Sequence, residues 1–90
     1  MTALSRTVRM TNKRGLHARA SAKFVNLAAT LPSTIEVEKD GNKVCGTSIM
    51  GLMMLGAAMG DSVILHVSGD GAADSLEQLA TLIEGRFGED

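Results

Sequence analysis

The residues best suited to chemistry stand together in Gly15-Leu16-His17-Ala18-Arg19-Ala20. A loop carrying Gly15 delivers His17 to the first turn of a helix, where backbone N–H groups lack partners and the helix dipole is positive. Such a terminus attracts anions, phosphate above all. Arg19, inside that turn, adds a forked pair of donors matched to phosphate oxygens. Both features favour the neutral ring over the imidazolium, and a neutral imidazole is a nucleophile. The chemistry this suits is uptake and release of a phosphoryl group on the ring. The plainer reading makes His17 a helix cap or surface residue. No carboxylate stands near His17 in the sequence, so nothing local suggests a Ser-His-Asp arrangement.

The other reactive side chains read as structural. His66 lies on a strand whose opposite face is apolar and points outward. Cys45, beside Gly46 at the end of an edge strand, reads as a small packing residue rather than a nucleophile. One Cys and two His are too few for a structural zinc site, so neither a metal nor a cofactor is expected.

The elements that must position His17 follow from periodicity. Ser5 to Thr11 alternates as a half-buried strand. Asn12 to Gly15 is a polar loop. Ala18 to Leu31 places Ala20, Phe24, Leu27, Ala28 and Leu31 at helical spacing, and Pro32 ends the helix. Thr34 to Lys39 alternates again, Ile35 and Val37 on one face and Glu36 and Glu38 on the other. Asp40-Gly41 is a two-residue hairpin signal. Pairing outward from it sets Glu38 opposite Lys43 and Val37 opposite Val44, so charge and packing agree on the register. Thr47 or Ser48 caps a short helix over Ile49 to Leu55, with Gly56 as its stop. Asp61 to Ser68 is a strand with Val63, Leu65 and Val67 inward, and Ala72 to Arg86 is a helix on Leu76, Leu79, Ala80 and Ile83. The order β-α-β-β-α-β-α is an α+β pattern: one antiparallel sheet with its helices on one face.

Residues 1–90 are expected to form one domain, as 90 residues leave no room for a second core. Net charge is −1 and the only aromatics are Phe24 and Phe87, which argues against nucleic-acid binding and base stacking. The uncharged stretch from Ile49 to Met59 is far short of the roughly 20 residues of a membrane span. Arg6 and Arg9 stand where a signal peptide needs an apolar run. A cytoplasmic protein without membrane insertion is the expectation. The charge is unevenly laid out: Met1 to Ile35 has no Asp or Glu, but holds Arg6, Arg9, Lys13, Arg14, Arg19 and Lys23. This asymmetry suits an acidic partner or an anion near the basic end, with a merely solvated face as the alternative.

Gly15 to Val25 (GLHARASAKFV) together with Gly46 to Gly60 (GTSIMGLMMLGAAMG) resembles HPr, the histidine-containing phosphocarrier family of the bacterial phosphotransferase system. The likeness spans essentially the whole chain. It implies an open-faced β-sandwich, a four-stranded sheet in the order 1-4-2-3 under three helices. It further implies that His17 accepts a phosphoryl group from phospho-Enzyme I, itself charged by phosphoenolpyruvate, and donates it to a IIA domain in sugar uptake or its regulation. Nδ1 would carry the group, Arg19 would stabilise it, and the backbone of Ala18 and Arg19 would bind its oxygens. Such a protein is a stoichiometric carrier, not an enzyme, and is expected as a monomer. Ser48 falls on the family's regulatory serine, the target of an HPr kinase/phosphorylase, although a plain helix cap would need the same residue. Methionines at helical spacing are usually core. A helix of two turns cannot bury all of Ile49, Met50, Leu52, Met53, Met54 and Leu55, however. The resemblance assigns Ile49, Met50 and Met53, with Ala22, to partner docking, leaving Leu52 and Leu55 for the core.

One position departs from the family: Ala20 stands where proline commonly follows the arginine, which leaves the helix start more mobile and points to a regulatory branch. The competing readings are a regulatory binding protein phosphorylated on Ser48, a nitrogen-branch phosphorelay carrier, and a small-metabolite-binding βαββαβ module.

Overall fold

A computed structural model describes residues 3–89. Four strands, β1 (Ala3–Arg9), β2 (Thr34–Lys39), β3 (Asn42–Cys45) and β4 (Ser62–Ser68), alternate with three helices, α1 (Ala18–Ala28), α2 (Ile49–Met54) and α3 (Ala72–Glu84). A short 3-10 turn, Arg86–Gly88, follows α3. The sheet is antiparallel throughout, in the order β1-β4-β2-β3. This is the open-faced arrangement expected from the sequence.

Alternation decides which face is covered. Val8, Ile35, Val37, Val63, Leu65 and Val67 are buried, while Thr7, Arg9, Glu36 and Ser62, which point the other way, are exposed. The helices supply Ala20 and Phe24 from α1, Leu52 from α2, and Leu76, Leu79, Ala80 and Ile83 from α3 to complete the core. Each fully buried Leu, Ile, Val or Phe contributes roughly 1.5–3 kcal/mol to this assembly. The β2–β3 hairpin turns on Asp40 and Gly41, both with positive φ (51° and 82°), as a two-residue primed turn requires. Its register pairs Glu38 with Lys43 and Val37 with Val44.

Several element ends differ from their sequence-based bounds. Strand β1 starts at Ala3 and stops at Arg9 rather than running from Ser5 to Thr11. Helix α1 ends at Ala28, not Leu31. There the amides of Thr30 and Leu31 turn to the carbonyls of Leu27 and Ala28, and the Thr30 hydroxyl donates to Leu27 O at 2.7 Å. Helix α2 ends at Met54 and β4 begins at Ser62, one residue inside each expected limit. Helix α3 stops at Glu84, because Arg86 and Phe87 both take positive φ and turn the chain back. That reversal drives Phe87 into the core at 1% exposure.

Candidate functional site

The loop before α1 is held at both ends. Gly15 has φ +61°, and a Cβ there would lie 2.1 Å from the Ala57 carbonyl oxygen. The space is taken because Leu16 N–H donates to that same oxygen at 2.9 Å. Only glycine supplies both the left-handed backbone and the close approach. The buried Asn12 side chain donates to Gly15 O at 2.8 Å, and His17 N–H donates to Gly15 O at 2.9 Å. Loop and helix start are therefore one hydrogen-bonded unit.

His17 is the N-cap of α1, with extended backbone (φ −76°, ψ −178°), and its Nδ1 accepts the Arg19 N–H at 3.2 Å. An imidazole thus fills the place usually taken by a Ser, Thr, Asp or Asn oxygen. Its Nε2 lies 2.7 Å from Oε2 of Glu89. An ionised carboxylate only accepts hydrogen bonds, so Nε2 carries the hydrogen and Nδ1 the lone pair. That lone pair faces the first-turn amides of α1, which have no carbonyl partner within the helix.

The ring is half-buried and opens on a cavity of about 260 Å³ lined by Lys13, Arg14, His17, Arg19 and Glu89. Arg19 is exposed, as expected, and its guanidinium has no ion pair among the described residues. The six basic residues of the acid-free segment do not act together. Lys13, Arg14 and Arg19 surround the cavity, but Arg6 is paired with Glu77 and Glu84 on α3, and Lys23 donates to Phe87 O at 2.6 Å.

Positive charge, expected from the sequence, is not the whole environment of the ring. Glu89 reaches His17 from 72 residues away, and its Oε1 accepts from Asn12 Nδ2 at 3.1 Å. The Asn12 hydrogen bond, joined by the His17 contact and the Lys23 charge, holds the Glu89 carboxyl below the usual carboxylate range. Neither Asn12 nor Glu89 stood out in the sequence. Asn12 read as part of a polar loop, and no local pattern links Glu89 to His17. The one available signal was Phe87, an aromatic after a helix whose apolar stripe had ended.

Ser48 caps α2: its Oγ accepts Gly51 N–H at 3.0 Å. This settles the choice against Thr47. Helix α2 packs beside α1 and presents Ile49 (41% exposed), Met50 (70%) and Met53 (41%) to solvent, while Leu52 is buried and Leu55 packs against the core. Met54, at 81%, is more exposed than any of them, and Met59 extends the apolar surface. Ala22 is half-buried on α1.

His66 points to the outer face of the sheet, its Nε2 2.7 Å from Glu38 Oε1. Cys45 is not a packing residue. It is exposed, and its Sγ lies 3.1 Å from Thr47 Oγ1, a hydrogen bond that lowers the thiol pKa. Cys45 is paired across the sheet with the exposed Glu36, so it lies on the face away from the core. Among the described residues no group of His, Cys, Asp and Glu could hold a metal ion, and no helix is long and apolar enough to cross a membrane.

Comparison with known proteins shows the family. A protein-family model, PTS-HPr, described as the PTS HPr component phosphorylation site, matches residues 4–85. The chain is 45% identical over 86 residues to phosphocarrier protein HPr of Neisseria meningitidis, covering 96% of this chain and 97% of that one. It is 43% identical over 86 residues, with the same coverage, to phosphocarrier protein HPr of Cupriavidus necator. A crystal structure of HPr from Thermoanaerobacter tengcongensis superposes with a TM-score of 0.90 at 44% identity, covering 100% of this chain and 99% of that one. A histidine lone pair set at an amide-rich, basic helix start, in a chain with this fold and these relatives, identifies a phosphocarrier of the HPr family.

Proposed function

We propose that His17 is the phosphoryl acceptor and that Nδ1 is the atom that bears the group. The observation that carries this reading is the position of Nδ1, unprotonated and 3.2 Å from the Arg19 amide at the start of α1. The Nδ1 lone pair forms the bond to phosphorus, and the bond holding the phosphoryl group on its donor breaks with its electron pair to the donor. The Arg19 amide then turns from Nδ1 to a phosphoryl oxygen, joined by the Ala18 amide. The Arg19 guanidinium, Lys13 and Arg14 offset the charge of the group. Because Nδ1–P is a bond to a good leaving group, the phosphoryl passes on readily to the next acceptor. The protein is a stoichiometric intermediate that becomes covalently modified.

The donor in this reading is phospho-Enzyme I, charged from phosphoenolpyruvate, and the acceptor is a IIA domain, in a cytoplasmic relay serving sugar uptake or its regulation. Ile49, Met50, Met53 and Ala22 form the docking surface for both. The exposure of Ile49, Met50 and Met53 supports it, since clustered exposed apolar side chains are a hallmark of binding surfaces. Ser48 is the site at which an HPr kinase/phosphorylase regulates docking. A phosphate there suits the helix start but places nearly two negative charges beside the docking residues.

Incubation with phosphoenolpyruvate and Enzyme I tests the reading. The expected product carries an acid-labile, alkali-stable phosphoryl label that is lost in His17→Ala. Label that survives in His17→Ala overturns the assignment.

A further inference from the structure

Phosphoryl capture at Nδ1 leaves the opposite side of the His17 ring unexplained, and that side carries the shortest polar contact of the site. Nε2 and Glu89 Oε2 are 2.7 Å apart, the length of a charge-assisted hydrogen bond. We propose that Glu89 is a positioning residue for the phosphoryl transfer. Its carboxylate takes the Nε2–H, fixes the ring in one tautomer and one orientation, and so aims the Nδ1 lone pair at the first-turn amides of α1. This inference rests on the reading of His17 as the phosphoryl acceptor.

Three features of the chain place this carboxylate deliberately. The turn after α3 runs through two successive non-glycine residues of positive φ, Arg86 (58°) and Phe87 (54°), an unfavourable backbone for bulky side chains. It is anchored twice: Phe87 is buried in the core, and Lys23 of α1 donates to the Phe87 carbonyl at 2.6 Å. Asn12 then ties the carboxylate itself to the active loop, with Nδ2 donating to both Gly15 O and Glu89 Oε1. The group that positions the loop also positions the group that positions the ring. Glu89 lies beyond residues 4–85, the part of the chain that the family match covers.

The chemistry gains from a carboxylate on this side of the ring. When Nδ1 bonds to phosphorus, Nε2 keeps its hydrogen and the ring becomes cationic. Glu89 faces that charge from the side away from the phosphoryl oxygens, so it does not compete for the amides that bind them. No proton has to move in either direction of transfer. A carboxylate orients an imidazole in the same way in hydrolase triads, where it holds the tautomer without taking the proton.

The test compares the full-length protein with Glu89→Ala and Glu89→Gln. Two-bond ¹H–¹⁵N correlation spectra of the histidine rings, at a pH where they are neutral, report the tautomer of His17. The wild type should show a protonated Nε2 and an unprotonated Nδ1, with shifts near their limiting values. In Glu89→Ala the two shifts should move toward each other, toward those of free histidine, with the fold unchanged by backbone spectra. Glu89→Gln, which keeps an oxygen acceptor, should retain most of the separation. Phosphoryl transfer from phospho-Enzyme I should slow roughly tenfold in Glu89→Ala, with the Enzyme I concentration for half-maximal rate unchanged. Ring shifts unmoved in Glu89→Ala, or a transfer rate that is equal or faster, overturn the proposal. Absence of label on His17 in the wild type would instead overturn the acceptor assignment, while the ring shifts would still report whether Glu89 holds the tautomer.

Discussion

Gly15 and Ala57 are packed so closely that a Cβ on Gly15 would sit 2.1 Å from the Ala57 carbonyl oxygen and 2.8 Å from the Ala58 Cα. The contact joins the loop before α1 to the segment after α2, and the position of His17 depends on it. Gly15→Ala must therefore both adopt positive φ and push two stretches of backbone apart. The expected loss is roughly 2 kcal/mol or more, measured by chemical denaturation, together with slower phosphoryl transfer. Unchanged stability would mean that the loop re-forms elsewhere and that this contact does not set the geometry.

Arg19 is exposed and unpaired among the described residues, so removing its guanidinium should leave the fold alone. Arg19→Ala is expected to shift stability by no more than about 0.5 kcal/mol. It should slow transfer to and from His17 roughly tenfold, as befits loss of a charge-assisted fork to phosphate. Stopped-flow transfer from phospho-Enzyme I measures this. Wild-type rates would show that the helix terminus suffices by itself.

Met50 is 70% exposed and contributes nothing to the core. Met50→Glu should preserve stability yet weaken Enzyme I binding about tenfold, or roughly 1.4 kcal/mol, by placing a charge in an apolar contact. Calorimetric titration gives the affinity directly, and an unaltered value would remove α2 from the docking surface.

Ser48 Oγ satisfies the Gly51 amide, so Ser48→Ala should cost about 1 kcal/mol as a lost helix cap. Labelling at His17 should be unaffected in that variant. Ser48→Asp keeps a capping oxygen and adds a negative charge, so it should hold its stability while binding Enzyme I more weakly. Equal binding by Ser48→Asp and the wild type would argue against regulation through this residue.

Much of this was legible because local and long-range forces agree. Asp40-Gly41 demands a primed turn, and the charges and valines flanking it choose the same register. A helix of two turns leaves some of its apolar side chains in solvent, but it took the family resemblance to say that Met50 and Met53 are the exposed ones and Leu52 the buried one. The loop, His17 and Arg19 were legible because glycine, the cap and the basic residue stand within five positions of one another. What escaped was non-local. Glu89 lies 72 residues from His17, and it arrives through positive φ at Arg86 and Phe87, residue types that give no sign of such a turn. Cys45 reads as a small packing residue in sequence, but its register opposite Glu36 puts it on the outer face of the sheet. The basic asymmetry of the sequence was visible, but its division was not, since the partners of Arg6 and Lys23 lie on α3 and the turn after it.

Acid should loosen the turn that carries Glu89. Its carboxyl is held below the usual range in the folded chain, chiefly by Asn12, so its contribution is complete above the unfolded carboxylate value and fades as pH falls through the lower folded one. The stability difference between the wild type and Glu89→Gln should therefore be largest at neutral pH and shrink in acid. Denaturation curves at neutral pH and at successively lower values check this, and a difference that grows toward acid would contradict it.

Phosphorus NMR reads directly which ring nitrogen of His17 takes the phosphoryl group. The chain should be charged with phosphoenolpyruvate and Enzyme I and examined by ³¹P spectra with ¹⁵N-labelled histidine. One phosphoryl group coupled to Nδ1 of His17, absent from His17→Ala, is the predicted result. A phosphoryl group bonded to Nε2, or to any residue other than His17, would overturn Nδ1 of His17 as the acceptor.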